Sequence, residues 1–143
     1  MDLSQAYNQI VLEEESRKYM TMNTHQGLYQ YTRLPFVIAS APAIFQRTMD
    51  TILQGLDKVG YILDDILVTG ANDSEHKQIL ENTLKRLDSY GVKLQKSKCQ
   101  FMQDQVEYFD FVVNKEGIKP SPKKLEAIRN MVDPKSKKEL QLW

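Results

Sequence analysis

The chain has 143 residues, enough for one domain's core, and its 41% hydrophobic and 27% charged residues are ordinary for a globular protein. No stretch approaches the length of a membrane span and no apolar leader follows Met1, so a membrane partner is not expected and an intracellular setting is, its compartment unspecified. A single cysteine, Cys99, excludes an internal disulfide and a cysteine-rich zinc site, and zero formal net charge argues against a dedicated nucleic-acid binder.

In chain order, residues 8 to 12 and 18 to 22 read as strands around the charged turn 13 to 17. Asn23 to Gly27 is a turn, and Leu28 to Tyr31 alternates, so 18 to 32 is expected to be a hairpin. Pro35 ends that pattern. Ser40-Ala41-Pro42 opens a helix, with Ser40 as its cap and Ala41, Phe45, Met49, Ile52 and Leu53 on one face. Asn72-Asp73-Ser74 opens a second, with the stripe Ile79, Leu80, Thr83, Leu84, Leu87, and Gly91 ends it. Val92 to Leu94 and Val106 to Val113 are strand candidates. Ser121-Pro122 starts a last helix carrying Leu125, Ile128 and Met131, ended before Pro134. Strands, helix, hairpin, helix, strands, helix is an α+β order, not an alternating βαβ one.

Between the first two long helices, Asp64 and Asp65 interrupt the apolar run Val59 to Val68. Unpaired buried charge is very costly, so the pair is expected at the bend of a hairpin, exposed at the end of the sheet. A third carboxylate, Asp2, begins the segment Asp2 to Tyr7. If the fold brings it beside Asp64, three carboxylates can hold hard divalent cations, Mg2+ or Mn2+, and such ions keep coordination places for phosphates. A polar hairpin turn is the plainer alternative.

Four stretches together narrow this. Asp2-Leu3-Ser4-Gln5-Ala6-Tyr7, Leu34-Pro35-Phe36 with Ala41-Pro42-Ala43-Ile44-Phe45-Gln46, Leu63-Asp64-Asp65-Ile66-Leu67-Val68-Thr69-Gly70, and Lys98-Cys99-Gln100-Phe101 with Val106-Glu107-Tyr108 occur in order. The chain resembles, over almost its whole length, the reverse transcriptase palm of gypsy-type long-terminal-repeat retrotransposon polyproteins, truncated at both ends. The resemblance implies an antiparallel sheet backed by helices, with residues 1–114 a partial palm and 115–143 the start of a thumb or connection segment. It implies template-directed nucleotidyl transfer by two metal ions on Asp2, Asp64 and Asp65, acting on an RNA template, a DNA primer and a deoxynucleoside triphosphate. Tyr7 would be the gate against a ribose 2′-hydroxyl, and Phe36 and Gln46 would lie under the template base and nucleotide. Lys98, Lys123, Lys124 and Lys135 are candidates for phosphate contacts, with solvated lysines as the competing reading. The intact relatives also carry fingers, connection and RNase H regions, which this sequence does not supply.

Three departures weigh against efficient catalysis. Val37 stands where the family has glycine. Tyr61 stands one residue earlier than the family's tyrosine, with Ile62 in its place, and in a strand a shift of one turns the ring to the other face. Tyr108-Phe109-Asp110-Phe111 replaces tyrosine, leucine, glycine, histidine and puts a negative charge near a phosphate backbone. The expectation is therefore a fragment of an RNA-directed DNA polymerase that is inactive or very weak in isolation. The alternatives are a non-enzymatic remnant that binds nucleic acid or protein, and a non-functional relic.

Overall fold

The computed structural model describes residues 1–130 together with Ser136 and Lys137. Met131, Pro134, Lys135 and Trp143 lie outside the described residues. The architecture is α+β, small antiparallel sheets flanked by helices, as the element order implied. The chain divides into two compact units, Met1–Met102 and Gln103–Trp143. The palm–thumb boundary expected at 114/115 falls inside the second unit, in the turn after its second strand.

In the first unit a one-turn helix α1 (Glu14–Arg17) precedes the hairpin β1 (Thr21–Thr24) and β2 (Gly27–Gln30), which pairs Thr21 with Gln30. Helix α2 (Ala41–Leu53) follows, then the hairpin β3 (Val59–Ile62) and β4 (Asp65–Val68), then helix α3 (Asp73–Ser89). The core holds Leu3, Ala6, Phe45, Met49, Ile52, Leu53, Ile66 and Leu87. Full burial of such side chains is worth about 1.5–3 kcal/mol each, so α2, α3, β4 and the segment before Tyr7 fold as one body. The α2 stripe read from the sequence, Ala41, Phe45, Met49, Ile52 and Leu53, is the buried face.

The caps differ from expectation at one end. Ser40 makes no side-chain cap; its carbonyl accepts the Ile44 N–H at 3.0 Å, and Pro42 supplies the preorganised first turn. Asn72 does cap α3, its side chain accepting the Glu75 N–H at 2.9 Å, while the Glu75 carboxylate takes the Ala71 N–H at 2.6 Å. Gly91, at φ 68°, closes α3 by donating to the Asp88 carbonyl.

Two expected strands are not strands. Residues 8 and 9 belong to a 3-10 turn, Ala6–Gln9, and 10 to 12 join other strands only through a bridge of Val11 with Arg33. Ile10 packs against the core from an irregular backbone, while Val11 is exposed. Val92 to Leu94 likewise contributes one bridge, Leu3 with Leu94.

The second unit is a meander of β5 (Gln105–Tyr108), β6 (Phe111–Asn114) and β7 (Gly117–Pro120), followed by helix α4 (Pro122–Arg129). The expected single strand at 106 to 113 is thus a hairpin. Its turn residues Phe109 and Asp110 both have positive φ, 47° and 62°, the signature of a tight two-residue turn. Ser121 caps α4, accepting the Lys124 N–H.

Candidate active site

The turn between β3 and β4 holds two residues, Leu63 and Asp64, with Ile62 paired to Asp65 across it. Leu63 alone is at positive φ, 51°. That is the pattern of a type II′ turn, whose first central position favours glycine. The apolar residues on either side fix the register: Ile66 is 1% exposed and points into the core, so Asp65 cannot join it there. Asp64 is exposed and Asp65 half-buried.

Residues 1 to 3 run alongside. Asp2 pairs with Asp65 in an antiparallel bridge. The Leu3 N–H donates to the Asp64 carbonyl at 3.0 Å, and the Ile66 N–H to the Met1 carbonyl at 2.8 Å. On the other side the Gln95 N–H donates to the Asp2 carbonyl, and the Ser4 N–H to the Lys93 carbonyl, both at 2.9 Å. The segment bearing Asp2 therefore lies beside the hairpin bearing Asp64 and Asp65, held from both sides.

Burial, then the negative charges of Asp64 and Asp2, push the Asp65 carboxyl above its usual range; the Met1 ammonium and Lys98 oppose the shift. Lys98 Nζ is 3.7 Å from Asp2 Oδ1, and the Cys99 thiol donates to the Asp2 carbonyl at 3.7 Å. Accumulated negative charge with oxygen donors suits a hard divalent cation rather than zinc. Among the described residues no three His, Cys, Asp or Glu side chains are already gathered as a ligand set.

Tyr7 stands beside Phe36 and Phe45, with ring centroids 4.7 and 5.3 Å away. Phe45 is buried, and Phe36 is exposed, so Tyr7 bridges core and surface. Gln46 projects from α2 to the turn: its Oε1 accepts the Leu63 N–H at 2.8 Å and its Nε2 donates to Asp50 Oδ1 at 3.0 Å. Asp50 also takes a hydrogen bond from the Tyr61 hydroxyl. Burial, then the charge and hydrogen bond of Asp50, raise the Tyr61 pKa. Sequence reasoning did not single out Asp50; its i, i+4 spacing from Gln46 was the available signal.

The register shift expected at Tyr61 is present. Tyr61 turns toward α2 and the core, while Ile62 is 46% exposed. Val37 is exposed. Asp110 forms an ion pair with Lys124, Oδ2 to Nζ at 3.2 Å, and Lys123 is exposed. Lys98 is beside Asp2, as described, and Lys135 is outside the described residues. A cleft of about 410 Å3 opens between α2 and Tyr90–Val92, with Gln9 and Ile10 on its wall; neither Asp2 nor the Asp64–Asp65 pair lines it.

Residues 1–113 match the family model described as reverse transcriptase (RNA-dependent DNA polymerase). Among curated proteins, the chain is 40% identical over 140 residues to an uncharacterized protein of Caenorhabditis elegans, covering 98% of this chain and 11% of that protein. It is 34% identical over 136 residues to the retrovirus-related Pol polyprotein from transposon gypsy of Drosophila melanogaster, covering 94% of this chain and 13% of the polyprotein. Among solved structures, a foamy viral protease–reverse transcriptase in complex with double-stranded DNA superposes with a TM-score of 0.86 at 25% identity, covering 98% of this chain and 25% of that one. The same kind of enzyme in complex with an RNA/DNA hybrid gives 0.81 at 25% identity, over 98% and 19%.

Proposed function

Because the chain belongs to the reverse transcriptase (RNA-dependent DNA polymerase) family, we propose that it is the palm portion of a retroelement RNA-directed DNA polymerase. The observation that carries this is the bridge of Asp2 with Asp65 beside the Asp64 turn, inside the region the family model matches. Asp2, Asp64 and Asp65 would hold Mg2+ or Mn2+, which supplies charge neutralisation at the phosphates and activation of the attacking hydroxyl.

The chain's own residues have distinct tasks. The strained turn presents Asp64 to solvent while Ile66 anchors it in the core. Tyr7, backed by Phe45, offers a flat ring that fills the room a 2′-hydroxyl would need, and Phe36 extends that surface. Lys98 tempers the negative charge around Asp2. RNA template, DNA primer and deoxynucleoside triphosphate are the proposed partners.

Extension by this chain alone is expected to be very slow or absent. It spans 11–14% of the length of the first curated relatives it matches. Val37 and Ile62 also replace family residues at the site, and the tyrosine next to Ile62 faces inward. A gel assay of primer extension on an RNA template with Mn2+, beside Mn2+ titration calorimetry, tests the reading. Weak Mn2+ binding that Asp64→Asn reduces supports it; binding indifferent to Asp64→Asn overturns the metal assignment. A non-enzymatic palm that only binds nucleic acid is the second reading. It is favoured by the departures at Val37 and Ile62, and hybrid binding without Mn2+ binding would select it.

A further inference from the structure

A polar chain of four residues joins α2 to the β3–β4 turn. The Leu63 N–H donates to Gln46 Oε1 at 2.8 Å, and Gln46 Nε2 donates to Asp50 Oδ1 at 3.0 Å. The Tyr61 hydroxyl hydrogen-bonds the same Asp50 carboxylate from the strand side. Leu63 has a φ of 51°, which an L side chain adopts at a cost, and Asp64 is the next residue. The turn therefore needs a brace, and its amide has one in Gln46.

The brace has a symmetry problem. A carboxamide has nearly the same shape with its oxygen and nitrogen exchanged, but only the oxygen can accept from Leu63. An ionised carboxylate accepts and does not donate, so Asp50 admits the Nε2 end of Gln46 and rejects the Oε1 end. Residues four apart on a helix face each other, which puts Asp50 in reach of Gln46. Tyr61, turned inward by the register of β3, fixes the carboxylate in that place. Tyr61 thereby acquires a role on the inner face of the sheet.

We infer that Asp50 is a positioning residue: by orienting the Gln46 amide it holds the Leu63 turn in the conformation that presents Asp64 and Asp65. The orientation of the turn stands on the hydrogen bonds alone; its catalytic consequence rests on the polymerase reading above.

Amide hydrogen exchange on the 143-residue chain tests it. Asp50→Asn keeps the shape but can donate, so the Gln46 amide can reverse; Leu63 exchange should accelerate about tenfold or more, while amides inside α3 stay within about twofold. Asp50→Glu remains acceptor-only and should restore protection. Gln46→Met should match Asp50→Asn, and adding Asp50→Asn to Gln46→Met should change nothing further, as a shared pathway requires. Tyr61→Phe should give a smaller effect in the same direction. Unchanged Leu63 exchange in Asp50→Asn overturns the inference, as does faster exchange spread evenly through α3. If Leu63 responds as expected while Mn2+ binding is indifferent to Asp64→Asn, the positioning role stands and the metal assignment of the polymerase reading fails.

Discussion

The two units are built on different physics. Residues 1–102 bury Leu3, Phe45, Met49, Leu53, Ile66 and Leu87 in one cluster. Among the side chains described in the second unit, Ser121 alone is buried, while Phe109, Phe111, Ile118 and Ile128 are 42–70% exposed. The second unit is held by ladder hydrogen bonds, the Ser121 cap and the Lys124–Asp110 pair. Both units contain tight two-residue turns with non-glycine residues at positive φ, yet they brace them differently. The first uses a side chain of a packed helix on Leu63; the second uses the Ser121 N–H, which donates to the Asp110 carbonyl at 2.7 Å. Each turn places one residue that disfavours positive φ there, Leu63 in the first unit and Phe109 in the second, while Asp110 is of a type that tolerates it.

The contrast can be broken at its strongest point first. Leu87→Ala should cost about 2–5 kcal/mol by denaturant unfolding, whereas Ile128→Ala should change stability by no more than about 0.5 kcal/mol. Equal losses would show that the second unit has a core of its own. Next comes Gly70, where an added Cβ would sit 2.6 Å from the backbone of His76. Gly70→Ala should cost about 1–3 kcal/mol through displacement of the first turn of α3, seen as a lower Tm.

A smaller effect, of opposite sign, is expected at Asp65. Its carboxyl pKa is raised in the folded chain, so folding favours its protonated form. The favourable contribution is present below the unfolded pKa and lost as pH rises through the folded one. Asp65→Asn should therefore raise Tm at neutral pH and leave it nearly unchanged in acid below the carboxylate range. A lower Tm at neutral pH would contradict the assigned charge balance. The smallest effect belongs to the exposed lysines. If the second unit follows a phosphate backbone, Lys123→Glu should weaken binding of a labelled RNA–DNA hybrid in fluorescence anisotropy and reduce the salt slope by about one contact. No change from a folded sample leaves Lys123 as a solubilising residue.

The three long helices were legible because their signals are local: Pro42, Asn72 and Ser121–Pro122 at their starts, and an apolar stripe at helical spacing, which is buried in α2, partly buried in α3 and exposed at Leu125 and Ile128 of α4. The short elements were not. The apolar run at 8 to 12 satisfies strand alternation, yet its backbone hydrogen bonds go to a 3-10 turn and to Thr32, which no local pattern announces. Strand β7 escaped notice because Gly117, Lys119 and Pro120 are poor strand formers, and only pairing with β6 makes them one. At the site, the Asp64–Asp65 pair was visible as charge inside an apolar run. The approach of Asp2 came from the resemblance, since nothing in a sequence encodes a bridge between residues so far apart. Asp50 was missed because an exposed helical aspartate is ordinary until Leu63 and Tyr61 are known to be near.

The segment Met1 to Ser4 has a temporal meaning. It pairs with residues 64 to 66 on one side and 93 to 95 on the other. On a ribosome it emerges before its partners, the second row of which arrives after most of the first unit has been made. Contacts of such long sequence separation form late and slow folding. Its row of hydrogen bonds to residues 64 to 66 can close once β4 is made, whereas the row to residues 93 to 95 closes only after Gln95 has cleared the exit tunnel. The Asp2 segment is thus held from both sides only late in the folding of the first unit, and a translational pause before Gln95 is expected to leave it held from one side.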